Sequence, residues 1–210
     1  MRYQCREALR GDRGSGVVLT MIAASMVLAL GLGLVAVSAT ERAIAGNHHA
    51  GVQALYAAEA LAEYVVAELR SDASWNPALS GERHSAFLEP TSQPMAPWNA
   101  VVDLSAMTGL VQSQSDALWS AGFDTPQWRL FAAGAFQALT GLENSGSFFL
   151  AAWVADDAAD SDAAPGIDSN GIVMVRSESR GLGGLRRGLL IVLRRGGEPA
   201  TEVVSWREIR

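Results

Sequence analysis

The first pattern along the chain is a long run without charge. Residues 14–40 carry no charged side chain, and residues 17–39 are almost continuously apolar. As an α-helix this apolar run is about 35 Å long, which is enough to cross a bilayer. The apolar core of a cleaved secretory signal peptide is shorter, about 7–15 residues, so we expect the mature protein to keep this segment.

The second pattern is amphipathic. Between Val52 and Leu69, apolar residues recur at intervals of three and four positions, and the glutamates Glu59, Glu63 and Glu68 lie between them. This spacing is typical of a helix with one apolar stripe. Because no strong helix breaker separates the two patterns, they predict a single helix of about 50 residues, half in lipid and half amphipathic.

The middle of the chain is irregular in pattern. Residues 71–114 are interrupted by prolines with Ser, Gly and Asn around them, which predicts loop with room for a short helix. The segment WRLFAAGAFQAL, beginning at Trp128, is interpreted as a helical turn leading into an apolar stretch. Large rings in such a chain usually pack in a core, whereas an adhesive or carbohydrate-binding surface needs several of them exposed together. The tryptophans concerned are Trp75, Trp98, Trp119, Trp128 and Trp153.

The last pattern is that of strands. Four segments, residues 148–154, 172–179, 187–195 and 202–209, are rich in β-branched and aromatic residues and are bounded by turn residues. The glycines 181, 183 and 184 mark one hairpin, and Gly196, Gly197 and Pro199 mark another. We therefore expect an α+β fold in which the amphipathic half of the long helix covers one face of an antiparallel sheet.

Charge and cysteine content exclude several functions. The chain has 16 arginines and no lysine against 22 acidic residues, a net charge of −6. Nucleic-acid binding needs clustered positive charge, so this balance argues against a nucleic-acid partner. The single cysteine, Cys5, precedes the apolar run, so no disulfide can form within the chain.

Several short phrases carry a family resemblance. Arg13-Gly14 stands directly before the charge-free run, and the phrases Ala45-Gly46-Asn47 and Ala57-Ala58-Glu59-Ala60 follow in the helix. Together with Ser205-Trp206-Arg207-Glu208 near the end of the chain, they resemble the PilX-like minor pilins of type IV pili. The resemblance implies a pilin-like fold, cleavage by prepilin peptidase after Gly14, and N-methylation of the new terminus at Ser15.

This resemblance also implies an organisation and a set of partners. Residues 1–14 would be a prepilin leader, 15–40 the transmembrane half of the helix, 41–70 its amphipathic half and 71–210 the globular domain. The arginines before the run favour a cytoplasmic N-terminus and a periplasmic domain, which reaches the pilus and cell surface after assembly. The implied partners are prepilin peptidase, the inner membrane, other minor pilins and the major pilin. The implied role is priming of pilus assembly at the tip, with twitching motility and cell adhesion as the processes served.

Two features bear on the position in a filament. Major pilins carry a glutamate five residues after the cleavage site, but this chain has Leu19 there. A subunit without this carboxylate leaves an N-terminal charge unpaired in an apolar interior, which favours a minor or tip position over the repeating shaft. Gly31 and Gly33 permit local unwinding of the membrane helix, as the resemblance implies, or close helix packing; both alternatives stay open.

An acidic segment, DDAADSDAAPGIDSNG, is the one candidate metal site. Hard oxygen ligands in a loop suit Ca²⁺, but the spacing does not match an EF-hand, and a solvated acidic turn is the competing interpretation. The candidate ligands are Asp156, Asp157, Asp160, Asp162, Asp168 and Asn170. The adjacent histidines His48 and His49 point to different helix faces, so no other metal site or cofactor is expected.

The sequence contains no recognisable catalytic motif, and we do not expect an enzyme. Two alternatives to a minor pilin remain. A type II secretion pseudopilin shares the same anchor and helix. A membrane-anchored periplasmic binding module would keep its leader and never polymerise.

Overall fold

The computed structural model describes residues 8–89, 91, 93–119, 125–142, 147–162, 164–196 and 201–209, with side chains from residue 15 onward. The helices are α1 (Ala8–Ser71), α2 (Asn76–Ser80), α3 (Leu104–Trp119) and α4 (Phe136–Thr140). The strands are β1 (Arg129–Ala135), β2 (Phe149–Asp156), β3 (Ile172–Arg180), β4 (Arg186–Arg195) and β5 (Thr201–Ile209). The chain forms two compact units, which divide between His49 and Ala50.

The first unit is the N-terminal part of α1. Its side chains from Ser15 to His49 are exposed, including large apolar ones such as Leu19, Leu30 and Leu34. By length and composition α1 is able to cross a membrane. The helix has 64 residues and begins at Ala8, so it is longer than the predicted helix of about 50. The glycines in this stretch weaken a helix but do not break it, which is why the described residues before Gly14 continue the helical conformation.

The second unit is built on a five-stranded antiparallel sheet in the sequential order β1-β2-β3-β4-β5. One face of this sheet is covered by the second half of α1. The apolar side chains Leu61, Val65 and Leu69 of the helix share one core with strand residues such as Val175 and Ile191. The predicted α+β arrangement of a long helix on an antiparallel sheet is therefore confirmed.

A second helix covers the other face of the sheet. Leu104, Met107 and Val111 of α3 share a separate core with Trp153 and Met174. Since both faces are covered, β2 is buried at all eight positions. The expectation of loop with room for a short helix over residues 71–114 agrees with the structure up to residue 103, where α2 is that helix, and is wrong from residue 104 onward, where α3 begins. The prolines that suggested it end at Pro97, and the buried positions of α3 recur at helical spacing.

The segment after Trp128 also differs from its interpretation. Residues Arg129–Ala135 form strand β1, and a helical turn appears only in α4. Ala132 and Ala133 favour a helix in isolation, but here both are fully buried and pair with β2. Tertiary packing outweighs their local preference.

The four predicted strands agree with β2 to β5 to within two residues at each end. In the β3–β4 connection, Gly183 and Gly184 have φ values of 71° and 77°, a conformation that favours glycine. The tip of the β4–β5 connection, with Gly197 and Pro199, lies outside the described residues.

Candidate functional site

The loop between β2 and β3 contains a buried carboxylate. Asp156 is the last residue of β2 and is 0% exposed. Its Oδ1 accepts the backbone N–H of Asp157 at 3.0 Å. Its Oδ2 is buried and has no hydrogen-bond partner among the described residues. A buried carboxylate oxygen without a partner is costly, because the protein has not replaced its hydration.

Two further carboxylates converge on Asp156. Asp156, Asp160 and Asp168 each contribute one oxygen, and these three atoms lie within 4.8 Å of one another. Asp160 is also buried, with 2% of its surface exposed. Carboxylate oxygens in this arrangement are the hard ligands that Ca²⁺ and Mg²⁺ bind.

Local hydrogen bonds give the loop its shape. Asp160 accepts the hydroxyl of Ser169 at 2.6 Å and the backbone N–H of Ser169 at 2.9 Å. Asp168 Oδ1 accepts the N–H groups of Gly171 at 2.7 Å and Ile172 at 3.1 Å. Short polar side chains that bond nearby backbone groups are typical of tight loops. These bonds hold Asp160 and Asp168 facing the end of β2.

Helix α2 fixes the loop from outside. The side-chain oxygen of Asn76 accepts the backbone N–H of Asp168 at 3.0 Å, although the two residues are 92 positions apart. The loop is thus attached to a separate element of the fold, which restrains the position of Asp168.

The other three candidate ligands serve the loop itself. Asp157 accepts the N–H of Ala159 at 3.0 Å and the side-chain amide of Asn170 at 2.8 Å. Asp162 accepts the N–H of Ala164 at 2.9 Å. The structure therefore brings together three of the six candidates. It also buries Asp156, Asp157 and Asp160, so the first part of the segment is not a solvated turn.

The three clustered carboxylates differ in acidity. Burial is the main cause that raises the pKa of Asp156 to about 7; the N–H of Asp157 lowers it, and the neighbouring aspartates Asp160, Asp168 and Asp157 contribute to the rise. The hydroxyl of Ser169 lowers the pKa of Asp160 despite burial. Burial raises the pKa of Asp168, although the hydrogen bonds from the N–H groups of Gly171 and Ile172 lower it in part. Asp156 is thus the carboxylate whose charge is least compensated.

A second charged cluster lies on β3 and was missed in the sequence. Glu178 is 0% exposed and pairs with Arg176 at 2.7 Å, Arg180 at 3.4 Å and Arg186 at 2.5 Å. Gln114 of α3 accepts a further bond from Arg176 at 2.6 Å. The sequence pattern that could have indicated this cluster is the alternation Arg-Ser-Glu-Ser-Arg within a strand, because it places opposite charges on one face. The cluster joins α3 to the sheet.

A groove opens beside this cluster, with a volume of about 550 Å³. Its lining includes Trp119, Trp128, Leu190 and Arg207. Of the five tryptophans considered from the sequence, Trp75, Trp128 and Trp153 are buried, so the core interpretation is confirmed for these three.

The proposed processing site lies within α1. Gly14 and Ser15 have helical backbone conformation, and Ser15 is exposed. Comparison of the chain with protein-family models, curated proteins and solved structures finds no match in any of the three.

Proposed function

We propose that this protein is a minor-pilin-like subunit that takes part in assembly of a type IV pilus. The proposal rests on the difference between the two halves of α1. One continuous helix begins with an exposed apolar half and ends with a half whose apolar stripe covers the sheet. A helix of this kind anchors a folded domain and leaves the apolar half open to lipid or to other helices.

The exposed half would act in two environments. Before assembly, side chains such as Val27, Leu30 and Leu34 lie in lipid. In the filament the same side chains pack against the helices of other minor pilins and the major pilin, so the helix leaves the bilayer without exposing apolar surface to water. The domain from Ala50 onward stays folded throughout, because no described residue of this half belongs to either of its cores.

The absence of a carboxylate at Leu19 supports a position at the tip. Leu19 is 66% exposed on the apolar half and offers no charge to a neighbour's N-terminal amine. Repeated stacking of such subunits would bury unpaired amines, whereas a single terminal position buries few.

Mass spectrometry of the N-terminus tests the processing step. The protein is recovered from membranes of strains with and without prepilin peptidase. The proposal predicts a chain that starts at a methylated Ser15 only when the peptidase is present. Gly14→Val should block cleavage, and Gly16→Val, which makes the same change two residues further on, should not. An intact Met1 terminus in both strains would identify an ordinary membrane-anchored domain.

Deletion of the gene tests the assembly role itself. Surface pili and twitching should fall sharply and return when the wild-type gene is restored, but not when the Gly14→Val variant is supplied. Normal piliation together with a defect in protein secretion would assign the subunit to a type II secretion system instead.

A further inference from the structure

We propose that the β2–β3 loop binds one Ca²⁺ ion between the carboxylates of Asp156, Asp160 and Asp168. This inference goes beyond the assembly role and does not depend on it, since all three residues belong to the folded unit from Ala50 onward.

Asp156 has an oxygen that lacks a partner. The side chain is fully buried, Oδ1 accepts the N–H of Asp157, and Oδ2 has no hydrogen-bond partner in the part of the chain that the structure describes. Removing a carboxylate from water without hydrogen bonds or a counter-charge is strongly unfavourable. A bound cation supplies that missing partner, and two more carboxylates lie within reach of it.

The local charge around Asp156 is negative. Among the described residues, the charged groups that act on Asp156 are Asp160, Asp168 and Asp157, which all carry the same sign. Arg195 acts on Asp168, but its guanidinium donates to the backbone carbonyls of Asp72 and Ala73 and stacks on the ring of Trp75. Three converging carboxylates therefore favour an ion that carries more than one positive charge.

The spacing and chemistry of the ligands suit calcium. Two ligands of one Ca²⁺ ion are separated by at most about 4.6–5.2 Å, twice the bond length. The three oxygens lie within 4.8 Å of one another, close enough to share one such ion. All three ligands are carboxylates. Carboxylates bind hard ions such as Ca²⁺, whereas softer metals prefer His or Cys ligands.

A bound ion would connect three parts of the fold. Asp156 ends β2, Asp160 lies within the loop and Asp168 is attached to α2 through Asn76. Binding to the folded state alone raises its stability, so occupancy of the site should appear as a shift in melting temperature.

The test uses the full chain in detergent after removal of metals with EDTA. Titration calorimetry with CaCl₂ should show saturable binding of one ion. Calcium at a hundredfold excess over its dissociation constant should raise the melting temperature by about 5–11 °C, and EDTA should reverse the shift. MgCl₂ should give a smaller shift at the same concentration.

Three variants make the result specific. Asp156→Asn and Asp168→Asn should lose the calcium response, because each removes one ligand charge. Asp162→Asn is the matched control. It removes the same charge from the same loop outside the cluster, and it should keep the response. If Asp156→Asn fails to fold, Asp168→Asn decides the question.

Several results would overturn the proposal. The first is a wild-type chain that shows neither heat of binding nor a melting shift. The second is an equal loss of response in Asp162→Asn and Asp168→Asn, which indicates diffuse attraction by an acidic loop. The third is an equal or larger effect of Mg²⁺, which contradicts the choice of calcium.

Discussion

Ser177 on β3 donates its hydroxyl to the backbone carbonyl of Ala58 on α1 at 2.8 Å, across 119 positions of sequence. Ser179 makes the same bond to Ala54. Ser177 and Ser179 are two residues apart along the strand, and Ala58 and Ala54 are four residues apart along the helix. Both spacings correspond to about 6–7 Å, so the two hydroxyls reach carbonyls on successive turns of α1. Both serines are buried, and alanine on the helix permits this close approach. The relationship fixes the position of α1 along the sheet.

Enlarging Ala58 should disturb this contact. Ala58→Leu forces a larger side chain into a fully buried position and should lower the free energy of unfolding by about 2 kcal/mol. Ala67→Leu, on the exposed side of the same helix, should change it by less than about 0.5 kcal/mol. Urea unfolding of the full chain in detergent, followed by tryptophan fluorescence, measures both. Equal effects would contradict the packing described for α1.

Neutralising Glu178 should be costly. Glu178→Gln leaves the buried guanidinium of Arg176 without its counter-charge, so the free energy of unfolding should fall by about 3 kcal/mol. Glu202→Gln removes an exposed partner of Arg194 and should cost less than about 1 kcal/mol. The same urea experiment compares the two variants, and a similar small cost for both would show that the buried cluster contributes little.

The Glu178 cluster should also make stability depend on pH. Burial raises the pKa of this carboxyl, but the attraction of Arg176 and Arg186 outweighs burial and leaves the pKa below its ordinary value. A lowered folded-state pKa stabilises the protein above the unfolded value of about 4.3, and this contribution is lost as the pH falls through the folded pKa. The stability difference between wild type and Glu178→Gln should therefore shrink below about pH 4.3. A difference that stays constant on acidification would contradict this assignment.

Arg195 should stabilise the end of α1. Its guanidinium lies 4.4 Å from the ring centre of Trp75 and donates to the carbonyls of Ala73 and Asp72. Arg195→Lys loses the planar fork and should lower the free energy of unfolding by about 1–2 kcal/mol. Arg194→Lys, at the exposed neighbouring position, should change it by less than about 0.5 kcal/mol. Thermal unfolding of the two variants side by side shows whether the difference exists.

The exposed apolar half of α1 offers a test of helix unwinding. Within the described part of the chain, a Cβ added at Gly31 or Gly33 has no contact within 4 Å beyond its own helix backbone and chain neighbours, so the double alanine variant causes no clash in the subunit and strengthens the helix by about 1 kcal/mol per site. If filament entry requires local unwinding, Gly31→Ala with Gly33→Ala should reduce surface pili while the membrane level of the protein is unchanged. Gly46→Ala, equally free of contacts, should leave pili intact. Immunoblots of sheared pili and membranes measure both, and full piliation in the double variant would reject unwinding.

The sequence determined the elements whose pattern is strong and local. The charge-free run and the stripe from Val52 to Leu69 determine α1, because both patterns persist over many turns. The β-branched segments determine β2 to β5. The acidic composition also identified the loop that holds Asp156, Asp160 and Asp168, but not which of its residues converge.

The tertiary structure decided the rest. The alanines of β1 favour a helix by local preference. In the folded chain they are buried and paired with β2, so they form a strand. The placement of α3 on the second face, which creates the second core and buries Glu178 with Arg176, depends on contacts distant in sequence. The same holds for Asp156. Its sequence position indicates only that a strand ends in a carboxylate, whereas the folded chain buries that carboxylate completely. Burial and convergence are properties of the assembled fold, so local pattern could not specify them.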